Sequence, residues 1–283
     1  MSALRSWMER NPVLAFVLLS YGFSWGLWAL MIAVWGTINW LGSFGPSVAA
    51  LVVVALTQGR LGLKHLWRQI LAGRFAVWWY LFITLGAFLI LLLGLLLYVL
   101  LGGVMLLPAE KLGGQLISLP LYYLIVLIIG GPLGEEIGWR GFLLPHFLQD
   151  RKPFLASLLV AAIWFGWHLP LFWLPGASQA GTPIGGFAAF IAAWSVLFTW
   201  VHLGTRGSLL AALLLHTSIN TFSVVISETD PAHADAPFLA YAAVSVLAAL
   251  VVIAIDRRRL RGLEAAAGTL QSPDAGRNNS SGA

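Results

Sequence analysis

Three short stretches of the chain combine residue types capable of acid–base chemistry: Glu135-Glu136-x-x-x-Arg140, Trp164-x-x-x-His168 and His216-x-x-x-Asn220. Residues four apart share a helix face, so Glu136 is set to pair with Arg140, each neutralising the other. Glu135 lies about 100° further around the helix and is left to point elsewhere. His216 and Asn220 share a face and can address one point, while Trp164, one turn from His168, can wall off one side of the imidazole. The set is one free carboxylate, two imidazoles and a carboxamide, and its chemistry reads as hydrolysis. A carboxylate withdrawn from bulk water is a better base for taking a proton from a water molecule. His168 can hold or share that water, and His216 with Asn220 can stabilise an oxyanion developing on a carbonyl. Alternatively, Glu135 or Glu136 with His168 and His216 can bind one zinc ion, leaving a position open for water. The chain contains no HExxH motif, and both versions stand.

The elements that must position these groups are membrane spans. Of the 283 residues, 59% are hydrophobic and 10% charged, and the mean hydropathy is +0.87. A soluble domain carries about 25% charged residues, so this composition excludes a water-exposed globule, a collagen-like fibre and a disordered chain. The apolar runs do not alternate with polar residues, which excludes a transmembrane β-barrel. The expected fold class is all-α, a polytopic membrane protein with a bundle of about eight transmembrane helices. Spans are expected at Pro12–Trp35, Leu41–Thr57, Val77–Leu101, Ile117–Pro145, Phe154–Leu174, Ile184–Gly204, Ser208–Ile226 and Phe238–Ile255. The first is too long for a cleaved signal core and reads as a retained anchor. The chain reads as one membrane domain over residues 1–260, with the core of the site over about 115–226. A disordered cytoplasmic tail is expected over 261–283.

Charge sets the expected orientation. Arg5, Arg10, Arg60, Lys64, Arg68, Arg74, Arg151, Lys152, Arg206, Arg257, Arg258, Arg259, Arg261 and Arg277 fall on one side, fourteen of the 16 basic residues. Only Lys111 falls on the other, Arg140 lying within a span, while Glu228, Asp230 and Asp235 share an opposite-side loop. Both termini are therefore expected in the cytoplasm, and the location as a cell (plasma) membrane. Arg60–Arg74 fits a helix lying in the cytoplasmic interface. The net charge of +5 and pI near 9.9 belong to this topology, and no nucleic-acid partner is expected. The absence of cysteine excludes a disulfide framework, a thiolate metal site and a cysteine nucleophile.

Depth brings the three stretches together. Glu135 precedes Asp150 by fifteen residues, His168 follows Pro153 by fifteen, and His216 follows Arg206 by ten. At 1.5 Å per residue all lie about 15–22 Å from their cytoplasmic ends, a common level in three separate spans. Ionisable groups at such depth are costly and call for a partner or a function. The expectation is a buried basin open toward the cytoplasm.

In order, spacing and membrane setting, these motifs resemble those of the type II CAAX prenyl endopeptidase family, also called the CPBP or Abi family of intramembrane proteases. The resemblance covers roughly Gly131 to Asn220. It implies an eight-span helical bundle and a glutamate-dependent or metal-dependent protease acting on a membrane-associated or prenylated peptide. It also implies catalytic roles for Glu135, Glu136, Arg140, His168, His216 and Asn220, with Trp164 in the substrate pocket and Zn2+ as the candidate cofactor on Glu135, His168 and His216. One departure stands out: the family usually has Phe where this chain has Trp164. Two rival readings use the same residues. In one, the chain is a proteolytically silent binding or immunity protein; in the other, they form a proton or cation relay in a transporter, which predicts inverted repeats that the sequence does not display.

Overall fold

The computed structural model describes residues 2–105, 109–229 and 235–260, and every regular element among them is helical. In hydrocarbon no water is present to satisfy backbone groups, so a chain this apolar has to bond its amides within each segment. In order, the elements are α1 (Ser2–Arg10), α2 (Pro12–Trp35), α3 (Gly45–Thr57), α4 (Gly59–Ile70), α5 (Val77–Leu81), α6 (Ala87–Leu100) and α7 (Ala109–Ile129). There follow α8 (Pro132–Gly138), α9 (Leu144–Leu148), α10 (Pro153–His168), α11 (Ile184–Gly204), α12 (Leu209–Thr229), α13 (Asp235–Ile255) and α14 (Arg257–Leu260). The tail expected over 261–283 lies outside the described residues, as do Asp230 and the loop residue His233.

Among the described residues, seven helical stretches are long and apolar enough to cross a membrane, and an eighth crossing follows if a bent pair counts as one span. The multi-pass helical architecture is thus as the hydropathy pattern implies. The fourth span is the one that differs in kind. Where a single run over Ile117–Pro145 is expected, two helical stretches, 118–129 and 132–148, meet at 46°. The break is at Gly130 and Gly131; Gly131 sits at φ 107°, a conformation closed to residues with a side chain, and Pro132 opens the next helix. Two single-turn π segments, Phe82–Gly86 between α5 and α6 and Trp139–Leu143 between α8 and α9, also lie beyond what periodicity reveals.

Successive crossings run antiparallel and give the bundle two chemically distinct ends. At one end lie α1, α4, the α9–α10 turn, the α11–α12 turn and α14, with Arg60, Lys64, Arg68, Arg151, Lys152, Arg206 and Arg257. This is called here the basic end. The described connections at the far end, 36–39, 101–105 and 173–183, contain neither Lys nor Arg. Within Arg60–Arg74, where an interfacial helix is expected, the chain forms α4, which buries Leu66 and leaves Leu61 and Trp67 exposed beside its basic residues.

Close packing of α8 on α3 positions the acidic pair. A Cβ placed on Gly134 would stand 2.6 Å from the carbonyl oxygen of Ser43, in the Trp40–Phe44 turn that leads into α3, and one on Gly138 2.6 Å from that of Pro46 in α3. Only glycine permits this approach of two backbones, the usual device where helices associate without water to drive them. Ser47 Oγ ties the pair by donating to the Leu133 carbonyl at 2.8 Å.

Candidate active site

The acidic pair divides its labour as the spacing implies. Glu136 and Arg140, one turn apart and both fully buried, form an ion pair at 2.8 Å. The guanidinium is clasped between two rings, 4.4 Å from the centroid of Trp164 and 3.8 Å from that of Phe198. Such stacking stabilises a desolvated cation by about 2 kcal/mol. The same Glu136 oxygen that meets Arg140 also receives His216 Nδ1 at 2.7 Å, joining α8 to α12. A carboxylate only accepts, so Nδ1 carries the proton and the far nitrogen of His216 is left for other work.

Glu135 is held by indoles. Trp164 Nε1 donates to its Oε2 at 2.7 Å, and Trp139 Nε1 reaches the same oxygen at 3.2 Å. The other oxygen, Oε1, lies against Gly131, where an added Cβ would stand 2.8 Å from it. One carboxylate oxygen is therefore committed to the protein, while the other lies beside the helix break that borders the cavity.

His168 closes the turn begun by Trp164. Its Nδ1 is 2.8 Å from the Trp164 carbonyl oxygen, an acceptor, so Nδ1 donates and Nε2 keeps a lone pair. Asn220 donates Nδ2 to the Gly130 carbonyl at 2.9 Å, capping a backbone group at the helix break. It thereby joins α12 to the turn below Glu135, a role that spacing alone does not reveal.

These groups line a cavity of about 350 Å³. Glu135, Trp164, His168, His216 and Asn220 all border it. Glu136 and Arg140 do not; they form the fully buried frame beneath it. Trp139 is a functional candidate that the sequence reading missed, although its position one turn after Glu135 is the signal that finds it. His202, near the basic end of α11, is buried.

The direction of the opening corrects an expectation. The cavity is bordered by Asn39, Trp40, Gly176 and Ser178, exposed residues of the two far-end connections. Behind its lining, Trp139 bonds Glu135 and Phe198 packs on Trp164 and His216, and neither reaches solvent. The basin expected to open on the side of the termini opens at the opposite end. The depth arithmetic places the groups at a common level but is silent on which end opens, and side-chain packing decides that.

Among the described residues, no three His, Asp or Glu side chains group closely enough to hold an ion. Glu135 Oε2, His168 Nδ1 and His216 Nδ1 are engaged by protein partners, which leaves Oε1 and the two Nε2 atoms as the remaining donors of the three side chains. The residues present do not make a preformed zinc site.

Residues 117–222 match the family described as Type II CAAX prenyl endopeptidase, Rce1-like. Glu135, Glu136, Arg140, His168, His216 and Asn220 all fall inside that range. The chain is also similar to CAAX prenyl protease 2 of Methanococcus maripaludis, 27% identical over 124 residues, which is 42% of this chain and 46% of that protein. The aligned part thus spans about half the length of that curated relative.

Proposed function

We propose that the chain is an intramembrane endopeptidase that hydrolyses peptide bonds of membrane-associated substrates with a water activated by Glu135, without a metal. The observation carrying this reading is the division of Glu135: Oε2 fixed by two indole donors, Oε1 beside the cavity. A general base needs a fixed carboxylate with one accessible oxygen, and a base of this kind contributes about 10²–10⁴-fold to rate.

In this reading a water sits between Glu135 Oε1 and His168 Nε2. Glu135 takes its proton as the oxygen attacks the scissile carbonyl carbon. The carbonyl electrons move to oxygen, where His216 Nε2–H and the second Asn220 amide hydrogen receive the developing charge. For that role Glu136 holds the ring in place through Nδ1. Collapse of the tetrahedral adduct breaks the C–N bond, and Glu135 returns its proton to the leaving amine. Glu136 and Arg140 never touch substrate and serve as the frame. The match over 117–222 supports a CAAX-type peptidase, and nothing in the structure favours the silent-binding or relay readings.

The test is cleavage by the purified protein in liposomes of a farnesylated CAAX peptide and a pool of membrane-derived peptides, with new termini mapped by mass spectrometry. The proposal expects defined new carboxyl and amino ends that appear only with protein. A folded protein that produces none from either substrate set would contradict it.

A further inference from the structure

Three cations of α4 take no part in the site. Arg60, Lys64 and Arg68 recur every four residues, so they form one stripe along the helix, and all three are exposed. No Asp or Glu occurs between Thr57 and Ala76. Among the described residues, no carboxylate pairs with any of the three.

Large apolar groups lie among these cations. Leu61 is 81% exposed, Trp67 62% and Leu71, at the C-terminal cap, 66%. At about 100° per residue, all three fall within about 60° of Lys64 around the helix, as Arg60 and Arg68 do. Gly62 and Leu66, on the opposite side, are buried. A face set in hydrocarbon excludes charge, and a face set in water is polar. Long cations interleaved with Leu and Trp fit the plane between the two. There the apolar groups enter the acyl boundary while the stems of Lys and Arg carry their charge to the phosphates.

The buried side ties α4 to the frame of the site. Gly59, at φ 63°, turns the chain out of α3, and a Cβ on Gly62 would stand 2.6 Å from Val54 Cγ1 of that helix. A Cβ on Gly141, the residue after Arg140, would stand 3.2 Å from Leu66 Cδ2 and 3.0 Å from Leu209 Cδ1 of α12. Further along, Ser208 at the start of α12 donates to the Ala72 carbonyl. α4 and its C-terminal turn thus cross the basic end from α3 to α12, with Leu66 seated beside the segment that carries Arg140.

We propose that the outer face of α4 is a docking surface for anionic phospholipid headgroups, and that lipid held there keeps Leu66 seated and steadies the Glu136–Arg140 frame. The occupant is a phospholipid of the bilayer and not a soluble anion, because a soluble phosphate gives Leu61, Trp67 and Leu71 nothing to enter. Each cation near an anionic surface raises affinity about fivefold, so three together favour an anionic over a zwitterionic surface by about a hundredfold. The docking stands on α4 alone, and its link to cleavage rests on the peptidase reading.

The chain contains no cysteine, so Leu61→Cys labelled with a polarity-sensitive dye reports on this face alone. The labelled protein is placed in liposomes of phosphatidylcholine, with or without phosphatidylglycerol, containing a quencher on the acyl chains. Stronger quenching and a blue-shifted emission with phosphatidylglycerol are expected. Arg60→Gln, Lys64→Gln and Arg68→Gln, combined in the same background, should abolish that difference, and high salt should reduce it. Arg257→Gln with Arg258→Gln, which removes basic-end charge away from α4, should leave it in place. No difference between the two lipids, or a difference that survives the triple α4 variant, overturns the inference. Cleavage and unfolding midpoints are read in the same liposomes. Wild type is expected to cleave faster and unfold at a higher temperature with phosphatidylglycerol, and the triple variant to be indifferent to it. Indifference of wild type in both readings, with the dye response intact, overturns the link to the frame. Absence of cleavage in either lipid counts against the peptidase reading, and the dye response and midpoints then decide the docking and the link.

Discussion

Trp164 Nε1 donates to Glu135 Oε2 at 2.7 Å across a sequence separation of 29 residues. The same tryptophan stacks on Arg140 and accepts a hydrogen bond from His168 through its carbonyl. One residue therefore aims the base, clasps the cation of the frame and fixes the tautomer of an imidazole. A phenylalanine at this position, usual in the resembled family, keeps the stacking surface but has no donor.

Trp164→Phe is predicted to lower kcat by about tenfold with KM little changed. A hydrogen bond to a charged group contributes about 1.5–3 kcal/mol, and Trp139 retains part of the hold on Glu135. Steady-state kinetics on a cleaved peptide, alongside thermal unfolding in detergent, checks this. An unchanged kcat would mean that the indole bond does not orient the base.

Glu136→Gln is predicted to destabilise the fold. It leaves Arg140 buried between two rings and His216 without its carboxylate, and breaking a buried ion pair costs about 3–5 kcal/mol. Thermal unfolding should show a clearly lowered midpoint, in contrast to Glu135→Gln, whose amide oxygen still accepts from both indoles. A midpoint equal to wild type for Glu136→Gln would contradict the frame role.

Much of this was legible in the sequence, and the limits are physical. Uninterrupted apolar runs specify spans because length and composition alone decide membrane crossing. The Glu136–Arg140 pair follows from spacing on one helix. The Glu136–His216 bond and the indole donors on Glu135 join different helices, or need a side-chain direction, and only packing supplies those. Gly131 and Pro132 mark a loosened backbone, yet the 46° bend depends on α8 settling against α3 through Gly134 and Gly138. The far-end mouth was hidden because the residues that rim it, Asn39, Trp40, Gly176 and Ser178, come from two connections that meet only once the helices are assembled.

Gly138→Ala is predicted to cost about 1–3 kcal/mol, since its methyl group would stand 2.6 Å from the Pro46 carbonyl oxygen and force α8 from α3. Glu135 moves with α8, so activity should fall along with stability. Unfolding midpoints and cleavage rates that both match wild type would contradict the tight α3–α8 seam.

Strong chelators are predicted to leave cleavage unchanged, because no three of the described His, Asp and Glu side chains group closely enough to hold an ion. Rates measured before and after dialysis against chelator, with metal content determined in parallel, check this. Loss of activity restored by zinc would move the chemistry to a metal-bound water.

The measurement that bears most directly on the account is the cleavage rate of Glu135→Gln beside wild type in the same liposomes, with both unfolding midpoints recorded. The account predicts a loss of about 10²–10⁴-fold, the contribution of a general base, at an unchanged midpoint. Cleavage at the wild-type rate by a folded Glu135→Gln protein would show that the water is activated elsewhere.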